Sequence, residues 1–182
     1  MISALKQTKV KVSYQLIYAL IAVVAAVALP QLVHVAGAQA GLGSKLGEAL
    51  LPMHLPVIFI GLLAGPYAGA VAGLLSPIVS NLLTGMPAPI VLPFIICETT
   101  AYGIVAGLLK NVKLNSFVKV VAVQVAGRAV RAIATLVGVY AFGSKIAVAS
   151  IYTSILVGIL GIVIQWAVLP STIFAVNKKL GR

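Results

Sequence analysis

The chain has 182 residues, 62% hydrophobic and only 8% charged, with thirteen Lys and Arg against two acids, Glu48 and Glu98. Soluble domains carry about 25% charged residues, so the composition excludes one. The net charge of +11 does not point to nucleic acid, because the basic residues lie between long apolar segments rather than on a solvated face. No nucleic-acid partner is expected, and the lone Cys97 has no partner for an intrachain disulfide.

The apolar pattern predicts an all-α integral membrane protein: one transmembrane domain over 1–182, with six spans at about 12–29, 53–64, 67–83, 90–109, 117–141 and 151–176. The first follows a basic stretch, as a signal peptide would. It is long enough to cross a bilayer, however, and no small-x-small cleavage site follows closely, so it is read as a retained helix. Ala19, Ala22 and Ala26 line one of its faces. Small residues at such spacing let another helix approach closely, and a terminal span is the natural one to offer that face to an outside partner.

A long loop is expected next, over 30–52, with the sequence PQLVHVAGAQAGLGSKLGEALLP. Loops above about 15 residues in compact proteins are usually functional or disordered. The moderate apolarity of this one favours a lid packed on the protein, with His34 inside it and His54 just beyond. Span two is short of the usual 20 or so residues. Into span three run Gly65, Gly69 and Gly73 at GxxxGxxxG spacing, followed by Ser76, Ser80 and Thr84 on one line, with Asn81 beside it. Span four carries Glu98 and Tyr102 at i, i+4, then Gly103 and Gly107. The glycines are read as internal packing surfaces, and each hydroxyl taken alone as a capping or backbone-bonding group.

Span five holds VAGRAVRAI, and Gln124, Arg128, Arg131 and Thr135 fall at i, i+4, i+7 and i+11, a single helical stripe. A charge near the bilayer centre costs at least about 2.5 kcal/mol, so the stripe should face protein or a watery cavity. At about 1.5 Å per residue, Arg131 and Glu98 both lie roughly 12–15 Å below the outer ends of their helices, with Arg128 deeper. They can meet if spans four and five touch. A structural ion pair would account for one arginine. One glutamate cannot neutralise two guanidiniums, and an anionic ligand group would offset the remainder, since Arg binds carboxylate or phosphate through paired hydrogen bonds.

Setting Arg128 and Arg131 aside, eleven basic residues remain. Lys6, Lys9, Lys11, Lys110, Lys113, Lys119, Lys178, Lys179 and Arg182 fall on one side of the six spans, and Lys45 and Lys145 on the other. The positive-inside rule then puts both termini in the cytoplasm, which requires an even number of spans. No zinc-ligand spacing, HExxH, GxSxG or GxxxxGK[ST] occurs, so neither an enzyme, a metal nor a cofactor is expected, and no ATPase signature is present.

The stretch LPMHLPVIFIGLLAGPYAGAVAGLLSPIVSNLLTGMPAP, together with ICETTAYGIVAGLL, resembles the substrate-binding S component of energy-coupling factor (ECF) vitamin transporters, in a subgroup similar to pantothenate and pyridoxine binders. The resemblance implies a six-helix protein of the bacterial cytoplasmic membrane, surrounded by lipid, that binds a small vitamin near the outer surface under external loops. It also implies partners: a transmembrane coupling protein and two cytoplasmic ATPases, with docking through an AxxxA pattern that Ala22 and Ala26 match. Mapped by position, the family's pocket points to His54, Asn81, Glu98, Tyr102 and Arg131, with Arg128 below. Pantothenate leads as ligand, with Arg131 and Arg128 on its carboxylate. Pyridoxine, with Glu98 facing its ring nitrogen or a hydroxyl, niacin and a queuosine precursor are the alternatives. Outside this class stand a self-contained secondary transporter, although no internal repeat is evident between 12–90 and 90–175, and a ligand-free membrane assembly protein.

Overall fold

The computed structural model describes residues 11–179; Lys6, Lys9 and Arg182 of the charge count lie outside them. The elements are helices α1 (Val12–Gln39), α2 (Lys45–Leu50), α3 (His54–Ala64), α4 (Pro66–Thr84), α5 (Leu92–Leu109), α6 (Ser116–Phe142), α7 (Ser150–Val157) and α8 (Ile159–Lys179), with no strand among the described residues. Six helical stretches are long and apolar enough to cross a membrane: Val12–Gln39, Lys45–Ala64, Pro66–Thr84, Leu92–Leu109, Ser116–Phe142 and Ile159–Lys179. Exposed Leu, Ile and Val cover much of their outer surface, which suits a lipid surround.

Three expectations change. The long loop over 30–52 is mostly helix: α1 runs through Pro30 to Gln39, and α2 follows after a short turn. Proline removes one backbone hydrogen bond, but a helix continues through it when packing compensates. Here Pro30 is buried, and the extended end of α1 meets α2, where the His34 ring lies against Gly47. This addition also resolves the short second span. The 11 residues of α3 reach only about 16 Å, whereas α2 and α3 together give the 20-residue stretch Lys45–Ala64. Span six divides at Gly158, a poor helix residue against which the Leu51 side chain packs.

The third change concerns Ala19, Ala22 and Ala26. They do not face outward to a partner; all three are buried in the core cluster, with Val57, Ala68 and Ala72 from α3 and α4. Their small size does allow close approach, but to helices of this same chain.

The tightest packing is between α4 and α5. A Cβ on Gly69 would collide with the Gly103 backbone, one on Gly103 with the Gly69 carbonyl, and one on Gly73 with the carbonyl of Thr99. The Thr99 hydroxyl crosses this seam to donate to the Gly73 carbonyl at 2.6 Å. The glycine spacings are therefore a seam between neighbouring helices, and backbone rather than side chain sets their separation. Gly103→Ala should lower stability by about 1–3 kcal/mol, as overpacking does, read as a drop in the thermal unfolding midpoint of the detergent-solubilised protein. An unchanged midpoint would show that the seam can open freely.

Candidate ligand-binding site

Because α4 holds α5 so closely, Glu98 is carried inward, fully buried, towards the polar stripe of α6. The stripe does face the interior: Gln124 and Thr135 are buried, and the Arg128 and Arg131 side chains are each only 11% exposed. Arg131 Nη1 donates to Glu98 Oε2 at 2.8 Å, and Arg128 Nη1 lies 3.0 Å from Oε1. The Tyr102 hydroxyl, one turn along α5, donates to Oε1 at 2.8 Å. Its ring lies against α6 where Gly127 leaves room, and meets the His54 ring edge-on with centroids 5.1 Å apart.

One carboxylate thus serves two guanidiniums, and the cluster keeps one net positive charge. The hydrogen bonding shows the same surplus. Among the described residues, Nε and Nη2 of Arg128 and Nε of Arg131 are buried without a partner, and Arg128 Nη1 finds only the Ser154 hydroxyl besides Glu98, at 3.4 Å. Unsatisfied buried donors on charged groups are costly, which makes them the part of the molecule most in need of an acceptor.

Beside this cluster opens a cavity of about 420 Å³. Its walls come from the end of the bundle where α1 meets α2, α4 turns into α5 and α6 turns into α7. They include His34 of α1, Leu51 and His54 at the α2–α3 junction, Ser80 of α4, Arg131 of α6 and Ser154 of α7. Such a volume falls within the roughly 300–1,000 Å³ of small-molecule sites. The lining is mainly apolar with a few polar groups, the usual pattern for orienting one ligand.

Of the residues singled out from sequence, His54 and Arg131 line the cavity. Glu98, Tyr102 and Arg128 stand behind Arg131 as its support. Asn81 does not line it; its amide donates to the Pro87 carbonyl at 2.8 Å and pins the turn before α5. Ser76 and Thr84 bond back to the carbonyls of Ala72 and Ser80, as isolated hydroxyls in helices do, while Ser80 reaches the cavity. Ser150, Thr153 and Ser154 on α7 also line the cavity, and the Ser150 hydroxyl is buried and unpartnered. They stand at i, i+3 and i+4, one face of a helix like the i, i+4 line of Ser76 and Ser80 on α4, and that signal was available in the segment SIYTS. Among the described residues no group of three His, Cys, Asp or Glu is placed to hold a metal.

A bundle of membrane-length helices with a small-molecule cavity at one end, lined by an arginine whose charge is only partly offset, defines a solute-binding membrane protein. The chain belongs to the family described as ECF transporter, substrate-specific component, whose model matches residues 16–176. No similar curated protein and no similar solved structure was found. The protein is therefore a multi-pass membrane S component, with a substrate-binding role in an ECF importer.

The Glu98 cluster makes a charge-balance prediction. Glu98→Gln leaves two buried guanidiniums without an anion and should lower stability by about 3 kcal/mol or more. Glu98→Gln with Arg128→Gln returns the cluster to one net positive charge, so its thermal midpoint should lie above that of the single variant. A double variant that melts lower still would contradict this charge accounting.

Proposed function

We propose that this S component captures a small carboxylate-bearing vitamin, with pantothenate as the leading ligand, at the outer face of the cell membrane. It would hand the vitamin to a transmembrane coupling protein driven by two cytoplasmic ATPases. The observation that carries the ligand chemistry is the unneutralised charge at the cavity wall: Arg131 lines the cavity, and Nε of Arg131 and Nε and Nη2 of Arg128 lack acceptors. A ligand carboxylate would supply the missing charge, and the unpartnered hydroxyl of Ser150, another residue of the cavity lining, would add a hydrogen bond to the ligand. Apolar wall residues such as Leu51, Met53 and Val91 suit a branched aliphatic body. Pantothenate is favoured over pyridoxine because Glu98 already has both oxygens engaged by Arg128, Arg131 and Tyr102, and does not line the cavity.

In detergent, labelled pantothenate should bind and be displaced only weakly by pyridoxine or nicotinate. Arg131→Ala should weaken binding by about 30-fold or more, the effect of removing one partner of a buried charged contact. Ser150→Ala leaves the ion pairs intact and should weaken it by about threefold. Unchanged dissociation constants in both variants would remove the carboxylate assignment, and stronger binding of pyridoxine would replace the ligand.

The sidedness has its own support in the nine-to-two distribution of basic residues between the two ends of the spans. On a Cys97→Ser background, Lys145→Cys should react with an impermeant thiol reagent in intact cells, and Lys113→Cys only after permeabilisation. The reverse pattern would invert the molecule.

A further inference from the structure

Leu51 is the one non-glycine residue with positive φ among the described residues, at φ 49° and ψ 47°, where α2 ends and α3 is about to begin. The left-handed region is unfavourable for a leucine, because Cβ approaches the following carbonyl oxygen. Such a residue keeps its conformation only when its surroundings hold it there, and strain of this kind gathers at ligand clamps. Leu51 also stands in the cavity wall, in the run of residues 51–54 that forms one side of it.

Four contacts hold it. Its amide donates to the Gly47 carbonyl at 3.0 Å, its side chain packs on Gly158, and its carbonyl accepts twice, from the His54 amide at 3.2 Å within the turn and from Gln165 Nε2 of α8 at 3.3 Å, the one polar hold that comes from another part of the fold. Gln165 is itself fully buried, and Gln124 Nε2 donates to its Oε1 at 2.9 Å. Trp166 Nε1 in turn donates to Gln124 Oε1 at 2.6 Å. The direction of this chain is not free. An indole N–H can only donate, so it fixes the Gln124 oxygen towards Trp166 and the Gln124 amide towards Gln165. That leaves the Gln165 amide pointing at Leu51. The only tryptophan of the chain therefore sets the polarity of a network that ends on the strained residue.

We propose that Gln165 is a positioning residue for ligand binding: by holding the Leu51 carbonyl it keeps the junction left-handed and so places Leu51, Met53 and His54 against the ligand. This rests on the reading of the cavity as the ligand site. The network lies behind the wall, so Gln165 and Gln124 act without touching the ligand; neither lines the cavity.

Hydrogen exchange followed by mass spectrometry on the full chain in detergent tests the hold without any ligand. In Gln165→Met, peptides covering 47–56 should exchange about tenfold faster, the effect of a lost hold worth one factor of ten in the opening equilibrium. The rest of α6 and α8 should stay as in the parent. Trp166→Phe keeps Gln165 and the ring packing on Phe117 but removes the directing N–H, and should show the same localised change to a smaller degree. Unchanged exchange at 47–56 in both variants, or acceleration spread along α6 and α8, overturns the proposal.

Binding of labelled pantothenate supplies the second readout. Gln165→Met should weaken it about tenfold in the parent chain but less than about twofold in a Leu51→Gly background, since glycine reaches the left-handed region unaided. Equal losses in the two backgrounds would mean a merely structural glutamine and overturn the proposal. A parent chain that does not bind pantothenate refutes the proposed ligand, while the exchange experiment still decides the role of Gln165.

Discussion

Glu98 is wholly buried and meets two guanidiniums, one through each carboxylate oxygen. In an apolar bundle this triad is held by geometry more than by net attraction, because removing charges from water costs nearly what their pairing returns. The geometry comes from elsewhere in the chain. Gly69 and Gly103 bring the backbones of α4 and α5 together, Gly127 makes room for the Tyr102 ring, and Tyr102 then steadies the carboxylate. Each of these small residues acts on the charge cluster at a distance, by deciding how far its helix stands from the next.

The same logic explains where the cavity lies. The triad ties α5 to α6 at the level where α2, α7 and the turn before α5 leave space, while below it Gln124, Gln165 and Trp166 close the contact between α6 and α8. Polar groups therefore occupy two levels of α6. The upper one keeps unsatisfied donors on Arg131 in the cavity wall and on Arg128 behind it, and the lower one satisfies its amides within the protein. A buried polar group that is left incomplete beside a cavity invites a ligand, and one that is complete specifies packing.

Much of this was legible in the sequence because helices convert residue number into depth. The spacing of Gln124, Arg128, Arg131 and Thr135 places them on one face, and counting along spans four and five brings Glu98 level with Arg131. The alanines of α1 were legible only in part: small residues announce close approach but not the identity of the neighbour, and here the neighbours are α3 and α4. Pro30 suggested an end to span one because proline usually ends a helix, while the packing of His34 on Gly47 that lets the helix continue is a tertiary contact. Leu51 carried no signal at all. A left-handed leucine looks like any other leucine in a chain, and the glutamine that holds it lies 114 residues away.

The surplus charge also connects binding to folding. The Glu98 cluster carries one positive charge that its own residues do not offset, together with three guanidinium nitrogens that find no acceptor among the described residues. A ligand that supplies the anion binds the folded chain and not the unfolded one, so it stabilises the fold by mass action, by about 2.7 kcal/mol at a hundred times its dissociation constant. Affinity and stability then draw on one interaction. A variant that neutralises the cluster from within, by removing Arg128 or by adding a second acid, would be a steadier apo-protein and a poorer receptor. On this reading the missing anion is what makes the site selective, since a neutral molecule of the same shape would leave the deficit in place.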